Sequence, residues 1–221
     1  MSRPMRIGVL ALQGAFREHR QALERCGVEV VEIRRPLDAG DREYKGLLTL
    51  DGIVLPGGES TTMGKLLTDW ELLDALRACG RIGMPMFGTC AGLILLCKEI
   101  EGADGALLDQ PRIGLLNARV RRNAFGRQLD SFETSLAVKG VASDVEAVFI
   151  RAPLIMRTEE CVEVLSEIKA SEGLLPVAVR QKNLLGASFH PELTDDIRFH
   201  RMFLSMCEEW RGKETGLPEG W

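Results

Sequence analysis

Residues 84–98 read Met-Pro-Met-Phe-Gly-Thr-Cys-Ala-Gly-Leu-Ile-Leu-Leu-Cys-Lys. They predict a strand over Met84 to Phe87, a turn that holds Cys90 between Gly88 and Gly92, and a helix over Ala91 to Lys98. A strand that passes through a tight turn into a helix is the repeating unit of a parallel α/β sheet. The chain upstream has the same texture. Met5 to Leu12 is an apolar run stopped by Gln13-Gly14, Ala15 to Cys26 carries Phe16, Leu23 and Cys26 at helical spacing, and Gly27 ends it. Val28 to Ile33 and Gly52 to Leu55 supply two more strands, and a helix is expected from the Pro56-Gly-Gly58 turn to about Leu76.

Downstream of Glu99 the texture changes. A loop, Glu101 to Gly114, leads into short β-rich segments at Leu115–Val120, Phe132–Val138, Val145–Ile150, Val162–Leu165 and Val177–Arg180, expected as an antiparallel extension of the same sheet. Leu184 to Phe189 returns to an apolar strand that runs into His190-Pro-Glu192. Thr194 is then expected to cap a last helix with Ile197, Phe199, Met202, Phe203, Met206 and Trp210 on its apolar side. The reading is one domain over residues 1–211 followed by a polar Gly/Pro-rich tail, 212–221, mobile unless Trp221 docks.

The totals narrow the function. With 221 residues, 45% hydrophobic and 27% charged, the chain can bury a large core and has globular composition. Its net charge of −4 is spread without a basic block, so nucleic acid is not expected as a partner. No apolar run approaches the ~20 residues of a membrane span and the start lacks a signal-peptide pattern, which points to a cytoplasmic protein without a membrane partner. Six cysteines form no CxxC pair and three histidines no HxxxH pair. Disulfides, a metal and a cofactor are therefore not expected.

Ligands of parallel sheets bind beyond the carboxyl ends of strands, so the residues closing each strand matter most. Free cysteine usually fills space in a core, and five of the six are read that way. Cys90 differs. Flanking glycines let the backbone turn sharply and lift the side chain from the sheet, as in a nucleophile elbow, and a helix N-terminus favours its thiolate. A thiol nucleophile needs a base and the base an orienting group. His190 and Glu192, two apart after a strand, fit those roles, while His19 and His200 fall inside predicted helices with no acid arranged this way. Pro56-Gly-Gly-Glu-Ser60 is a turn and not a phosphate loop: Gly58 and Gly64 are separated by five residues, and Leu66 stands where Ser or Thr would bind magnesium. Its Gly58 N–H, with that of Ala91, can instead stabilise an oxyanion.

The set Pro56-Gly-Gly-Glu-Ser60, Gly88-Thr-Cys-Ala-Gly92 and His190-Pro-Glu192, in this order, resembles the class I, triad-type glutamine amidotransferases. Three more stretches make the chain similar to the family of glutaminase subunits of pyridoxal 5′-phosphate synthase, over Met5 to about Trp210. They are Leu10-Ala-Leu-Gln-Gly14 with Arg17-Glu-His19, Arg122 to Gln128 with Asp130-Ser-Phe-Glu133, and Phe149-Ile-Arg-Ala-Pro153. Leu93 and Ile94 depart from the wider class, which usually carries glutamine here, and fit the vitamin B6 family. The 101–114 loop is longer than that family requires.

The resemblance implies a flavodoxin-like three-layer α/β sandwich with a mostly parallel sheet, and hydrolysis of L-glutamine to glutamate and ammonia. Cys90, His190 and Glu192 would be the triad, and Gly58 and Ala91 the oxyanion hole. Gly58, Glu59, Ser60, Arg122, Ile150 and Arg151 would contact glutamine, with the arginines suited to its carboxylate and Glu59 to its ammonium. The implied partner is a (β/α)₈ synthase subunit in a hetero-oligomeric complex, which takes the ammonia and condenses it with a pentose phosphate and a triose phosphate. Docking of that partner would complete the oxyanion hole near Gln13 and Gly14. Two other readings stay open on the residues: a DJ-1/PfpI-like enzyme, whose histidine usually adjoins the cysteine where this chain has Ala91, and a flavodoxin-like binding module.

Overall fold

A computed structural model describes residues 3–35, 46–122, 131–170 and 173–211. The tail 212–221 and residues 123–128 and 130 of the quoted stretches lie outside the described residues. Five strands, Arg6–Leu10 (β1), Glu29–Ile33 (β2), Gly52–Leu55 (β3), Met86–Thr89 (β4) and Leu184–Ala187 (β12), pair in parallel in the order β12-β4-β3-β1-β2. Glu163–Ala170 (β10) and Gly173–Gln181 (β11) add antiparallel strands at the β12 edge, making seven.

Alternation along the strands splits the core between two faces. Ile53, Leu55, Met86 and Leu184 face helices Ser60–Asp69 (α2), Leu72–Arg81 (α3) and Ala91–Leu96 (α4). Ile7, Val9, Val54, Phe87 and Leu185 face Phe16–Arg25 (α1) and Arg198–Arg211 (α5). The result is three layers, each large buried side chain contributing ~1.5–3 kcal/mol. Gly8 and Gly52 lie where a Cβ would strike Ile33 and Cys207 at 2.6 and 2.5 Å, so the layers approach closely there.

Several expectations are corrected. The single helix expected after Gly58 is two, because Trp70 closes α2 and Glu71 turns left-handed (φ 57°) before α3. The helix expected to reach Lys98 stops at Leu96, and Cys97–Glu101 (β5) is a strand. Of the expected extension only β10 and β11 join the main sheet. Leu116–Arg121 (β6) pairs with β5 and with Leu154–Thr158 (β9), a strand the reading lacked, and Ser131–Val138 (β7) pairs with Ala142–Ile150 (β8) as a separate ribbon. Thr194 does not cap α5. The helix starts at Arg198, whose N–H donates to Asp196 Oδ1 at 2.9 Å, and Ile197 precedes it. Cys161 is exposed and does not fill core as expected, while Cys26 is half-buried and packs against the core. Among the described residues no helix is long and apolar enough to cross a membrane.

Candidate active site

The register explains why motifs far apart in sequence meet. β4 lies between β12 and β3, with Thr89 opposite Ala187 and Gly88 opposite Leu55, and β3 pairs in turn with β1. All four run in one direction, so their following segments, 13–14, 56–60, 90–92 and 190–192, emerge at the same sheet edge. A cavity of about 370 Å³ opens there. Ten of the expected site residues line it: Gln13, Gly14, Gly58, Glu59, Ser60, Cys90, Arg122, Ile150, Arg151 and His190. Ala91 and Glu192 are buried behind its wall.

Cys90 has φ 47° and ψ −102°, a conformation costing a non-glycine residue about 1–3 kcal/mol. Packing enforces it. A Cβ on Gly88 would lie 2.5 Å from the Gly92 carbonyl carbon, and one on Gly92 1.9 Å from the Leu55 carbonyl oxygen, so only glycine lets strand and helix approach. The Cys90 N–H donates to the Ala187 carbonyl at 2.9 Å, which ties the turn to the strand that carries His190.

His190 and Cys90 both line the cavity, and the His190 Nδ1 lies 2.7 Å from Glu192 Oε1. Burial works to lower the His190 pKa, but the interactions with Cys90 and Glu192 outweigh it and raise it to about 10. Burial likewise opposes charge on Glu192, and the flanking His19 and His190 imidazoles outweigh it and lower that pKa. Cys97, fully buried, has its thiol pushed far up by desolvation.

The binding side is polar and more open. Glu59 caps α2 by accepting from the Thr61 and Thr62 N–H groups at 3.2 and 2.7 Å. Arg122 donates to Glu59, Thr61 and Gln110 at 2.8, 2.6 and 2.6 Å. Gln110 comes from the 101–114 loop, a contact that sequence reading missed and that no local signal announces. Arg151 has a left-handed backbone (φ 43°), which sets it apart from the β8 strand it follows. The Gly57-Gly58 turn is packed against Gln13-Gly14. Ala15 N–H donates to the Gly57 carbonyl at 2.9 Å, the Glu59 N–H to Gln13 Oε1 at 2.7 Å, and a Cβ on Gly14 would meet the Gly57 oxygen at 1.8 Å.

The largest revision concerns the other histidines. His19 and His200, read as lying in helices with no acid arranged as Glu192 is to His190, are both fully buried, His19 beside Glu192 and His200 beside His19. His19 Nε2 lies 2.9 Å from Thr89 Oγ1 and 3.4 Å from Glu192 Oε2, and its Nδ1 lies 3.1 Å from His200 Nε2. Helical spacing does place His19 with Ala22 and Leu23 on the buried face of α1, and His200 with Phe199 and Phe203 on that of α5. Among the described residues no group of three or more His, Cys, Asp or Glu side chains is arranged to hold a metal ion.

Comparison with known proteins gives a consistent set. Residues 9–209 match the model of the SNO glutamine amidotransferase family. A protein of Carboxydothermus hydrogenoformans named pyridoxal 5′-phosphate synthase subunit PdxT is 52% identical over 201 residues, 90% of this chain and 96% of its own. The protein of that name from Parafrankia sp. is 52% identical over 222 residues, 100% of this chain and 99% of its own. A solved structure described as a glutamine amidotransferase superposes with a TM-score of 0.80 at 48% identity, covering 91% of this chain and 98% of the other. A putative GMP synthase protein from Thermoplasma acidophilum, 16% identical, shares the fold with a TM-score of 0.64, the match covering 96% of this chain and 98% of that one.

Proposed function

The chain belongs to the SNO glutamine amidotransferase family, and on that premise we propose a route for its reaction through Cys90, His190 and Glu192. It is a glutaminase, the subunit of a pyridoxal 5′-phosphate synthase that releases ammonia from L-glutamine for vitamin B6 biosynthesis. The observation that carries the route is a cysteine on a strained turn, sharing the wall of a cavity of about 370 Å³ with an imidazole that a buried carboxylate orients.

The Cys90 thiolate attacks the side-chain amide carbon, and the negative charge passes to the oxygen, to which the Gly58 and Ala91 N–H groups are suited to donate. His190 gives its proton to the nitrogen as the C–N bond breaks, so ammonia leaves and a glutamyl thioester remains. The now neutral His190 takes a proton from water, hydroxide adds to the thioester, and glutamate departs with Cys90 restored. Glu192 holds Nδ1 so that Nε2 serves the sulfur and the substrate.

Arg122 and Arg151 suit the substrate's α-carboxylate, and Glu59 its α-ammonium, with Ser60 and Ile150 beside them. Arg122 and Glu59 pair with each other, so binding exchanges one ion pair for two. The partner that uses the ammonia is a (β/α)₈ synthase in this reading. Gln13 and Gly14 would transmit its docking, because they grip the Gly57-Gly58 turn that carries one oxyanion donor.

Labelling with a glutamine-like electrophile, followed by mass spectrometry, tests the nucleophile. An adduct on Cys90 is expected; an adduct elsewhere, or none in the presence of the synthase, removes the reading. Turnover with and without the synthase tests the coupling, and full activity of the isolated chain would exclude it.

A further inference from the structure

Behind the Cys90–His190–Glu192 group the buried polar chain continues, through Thr89 and His19 to His200. Aromatic rings enclose it. Phe87 stands edge-on to His19 and to His200 with ring centroids 5.8 Å away in each case, and tilted to Phe199 and Phe203 at 5.5 and 5.6 Å, while His19 is edge-on to His200 at 5.2 Å. Burial is the main reason that both histidines have lowered pKa values, His200 to about 3, so each ring is neutral at pH 7. A neutral ring has one donor and one acceptor, and its neighbours decide which nitrogen holds the proton.

One arrangement satisfies the chain. Glu192 accepts at Oε1 from His190 Nδ1–H at 2.7 Å and from the Thr89 hydroxyl at 3.4 Å. Thr89 Oγ1 must then accept from elsewhere, and His19 Nε2 is 2.9 Å away. With its proton on Nε2, His19 presents a lone pair at Nδ1 to the Nε2–H of His200, 3.1 Å away. His200 Nδ1 is left as an unpartnered buried acceptor. The reverse order would leave a buried N–H unpartnered at that atom and turn the His19 Nε2 lone pair toward the carboxylate. Every dipole in the favoured order points its positive end at Glu192.

We propose that His19, aligned by His200 and acting through Thr89, is a positioning residue that holds Glu192 as a carboxylate directed at His190. Glu192 Oε2 supports this, since it is buried without a hydrogen-bond partner and His19 Nε2, 3.4 Å distant, brings its N–H dipole beside it. The other charged groups acting on the two rings are Glu18 and Arg25 on α1, Asp196 before α5, and His190 itself. Asp196 is engaged by Arg198 and Arg25 by Asp195, so neither replaces the donor at Glu192. The inference rests on the glutaminase reading for its kinetic readout.

The test compares H19L, H19Q and T89V in the full chain with its synthase. For H19L, kcat falls ~10–100-fold, as for a lost hydrogen bond to a charged group. The KM for glutamine stays within ~2-fold. The acid limb of kcat/KM moves up by about one pH unit, because Glu192 without its donors takes up a proton sooner. The H19Q amide can stand at the Nε2 position and restores the limb and most of kcat, whereas T89V moves both in the H19L direction by a smaller amount.

A wild-type limb and kcat in both H19L and T89V overturn the proposal, as does H19Q impaired as deeply as H19L, which would mean packing alone. If H19L does not fold, T89V decides between the outcomes. The rate of iodoacetamide alkylation at Cys90 against pH, read by mass spectrometry on the same chains, separates this proposal from the function. A wild-type chain without glutaminase activity would strike the function, while an alkylation profile identical in wild type and T89V would strike the proposal.

Discussion

The two ends of the cavity are built on different physical terms. At the catalytic end, Cys90, His190 and Glu192 are buried and fixed by backbone contacts that tolerate almost no change in volume, with Gly92 against the Leu55 carbonyl and the His190 ring against Gly57. At the proposed binding end, Arg122 makes exposed hydrogen bonds to Glu59 and Thr61 and a part-buried one to Gln110. The first end has little to reorganise when charge develops, which is what electrostatic preorganisation requires. The second rests on an ion pair open to water, so exchanging it for a substrate's ammonium and carboxylate would cost little. In the proposed route, rigid atoms serve the step in which charge appears, and exchangeable ones serve entry and exit.

Breaking the catalytic end should have the larger effects. C90A is expected to remove turnover by about 10⁴-fold while glutamine still binds, as isothermal titration would show. E192Q keeps the shape but loses the charge that pairs with His190, and kcat should fall by about 10³-fold at unchanged KM. G92A should cost about 3 kcal/mol in urea unfolding, or prevent folding, since its Cβ would lie 1.9 Å from the Leu55 oxygen; a stable, active G92A protein would show that the turn is not held by packing.

The binding end should respond through KM. R122Q is expected to raise it ~10–30-fold with a smaller change in kcat, and an equal loss in kcat would contradict the division drawn above. The smallest effect concerns pH. His200 is lowered by burial to about 3 in the folded chain, against 6.5 unfolded, so below pH 6.5 the unfolded chain takes up the proton first. Stability is full above 6.5 and falls toward pH 3 by about 1.4 kcal/mol per unit for this group. His190, raised to about 10, runs the other way: its contribution is whole below 6.5 and is lost as pH rises toward 10. Replacing the titratable ring in H200Q should flatten the acid branch in urea melts between pH 7 and 5, and an unchanged slope would remove His200 from the account.

Legibility in the sequence followed the range of the interactions. The strand, turn and helix around Cys90 were readable because a glycine two residues to either side of a nucleophile is a local steric requirement. The strands β1, β3 and β4 were readable because a fully buried strand is an unbroken apolar run. Where neighbours decided, the reading drifted. Cys97 has helix-compatible neighbours but begins β5, because β6 offers it a ladder, and the 154–158 segment becomes a strand by pairing with that same β6. Asp196, not Thr194, meets the first N–H of α5, a difference of two residues in a turn that sequence pattern does not resolve.

By itself, then, the amino-acid sequence determined the α/β alternation, the sharp turn at Cys90 and the pairing of His190 with Glu192, since each depends on residues a few positions apart. Tertiary structure alone decided that His19, His200 and Thr89 stand behind Glu192, and that Gln110 from a distant loop holds Arg122. Those contacts join residues 12 to 181 positions apart. They exist because parallel strands bring separate motifs to one edge and helices from both ends of the chain cover one face, and no local pattern encodes that meeting.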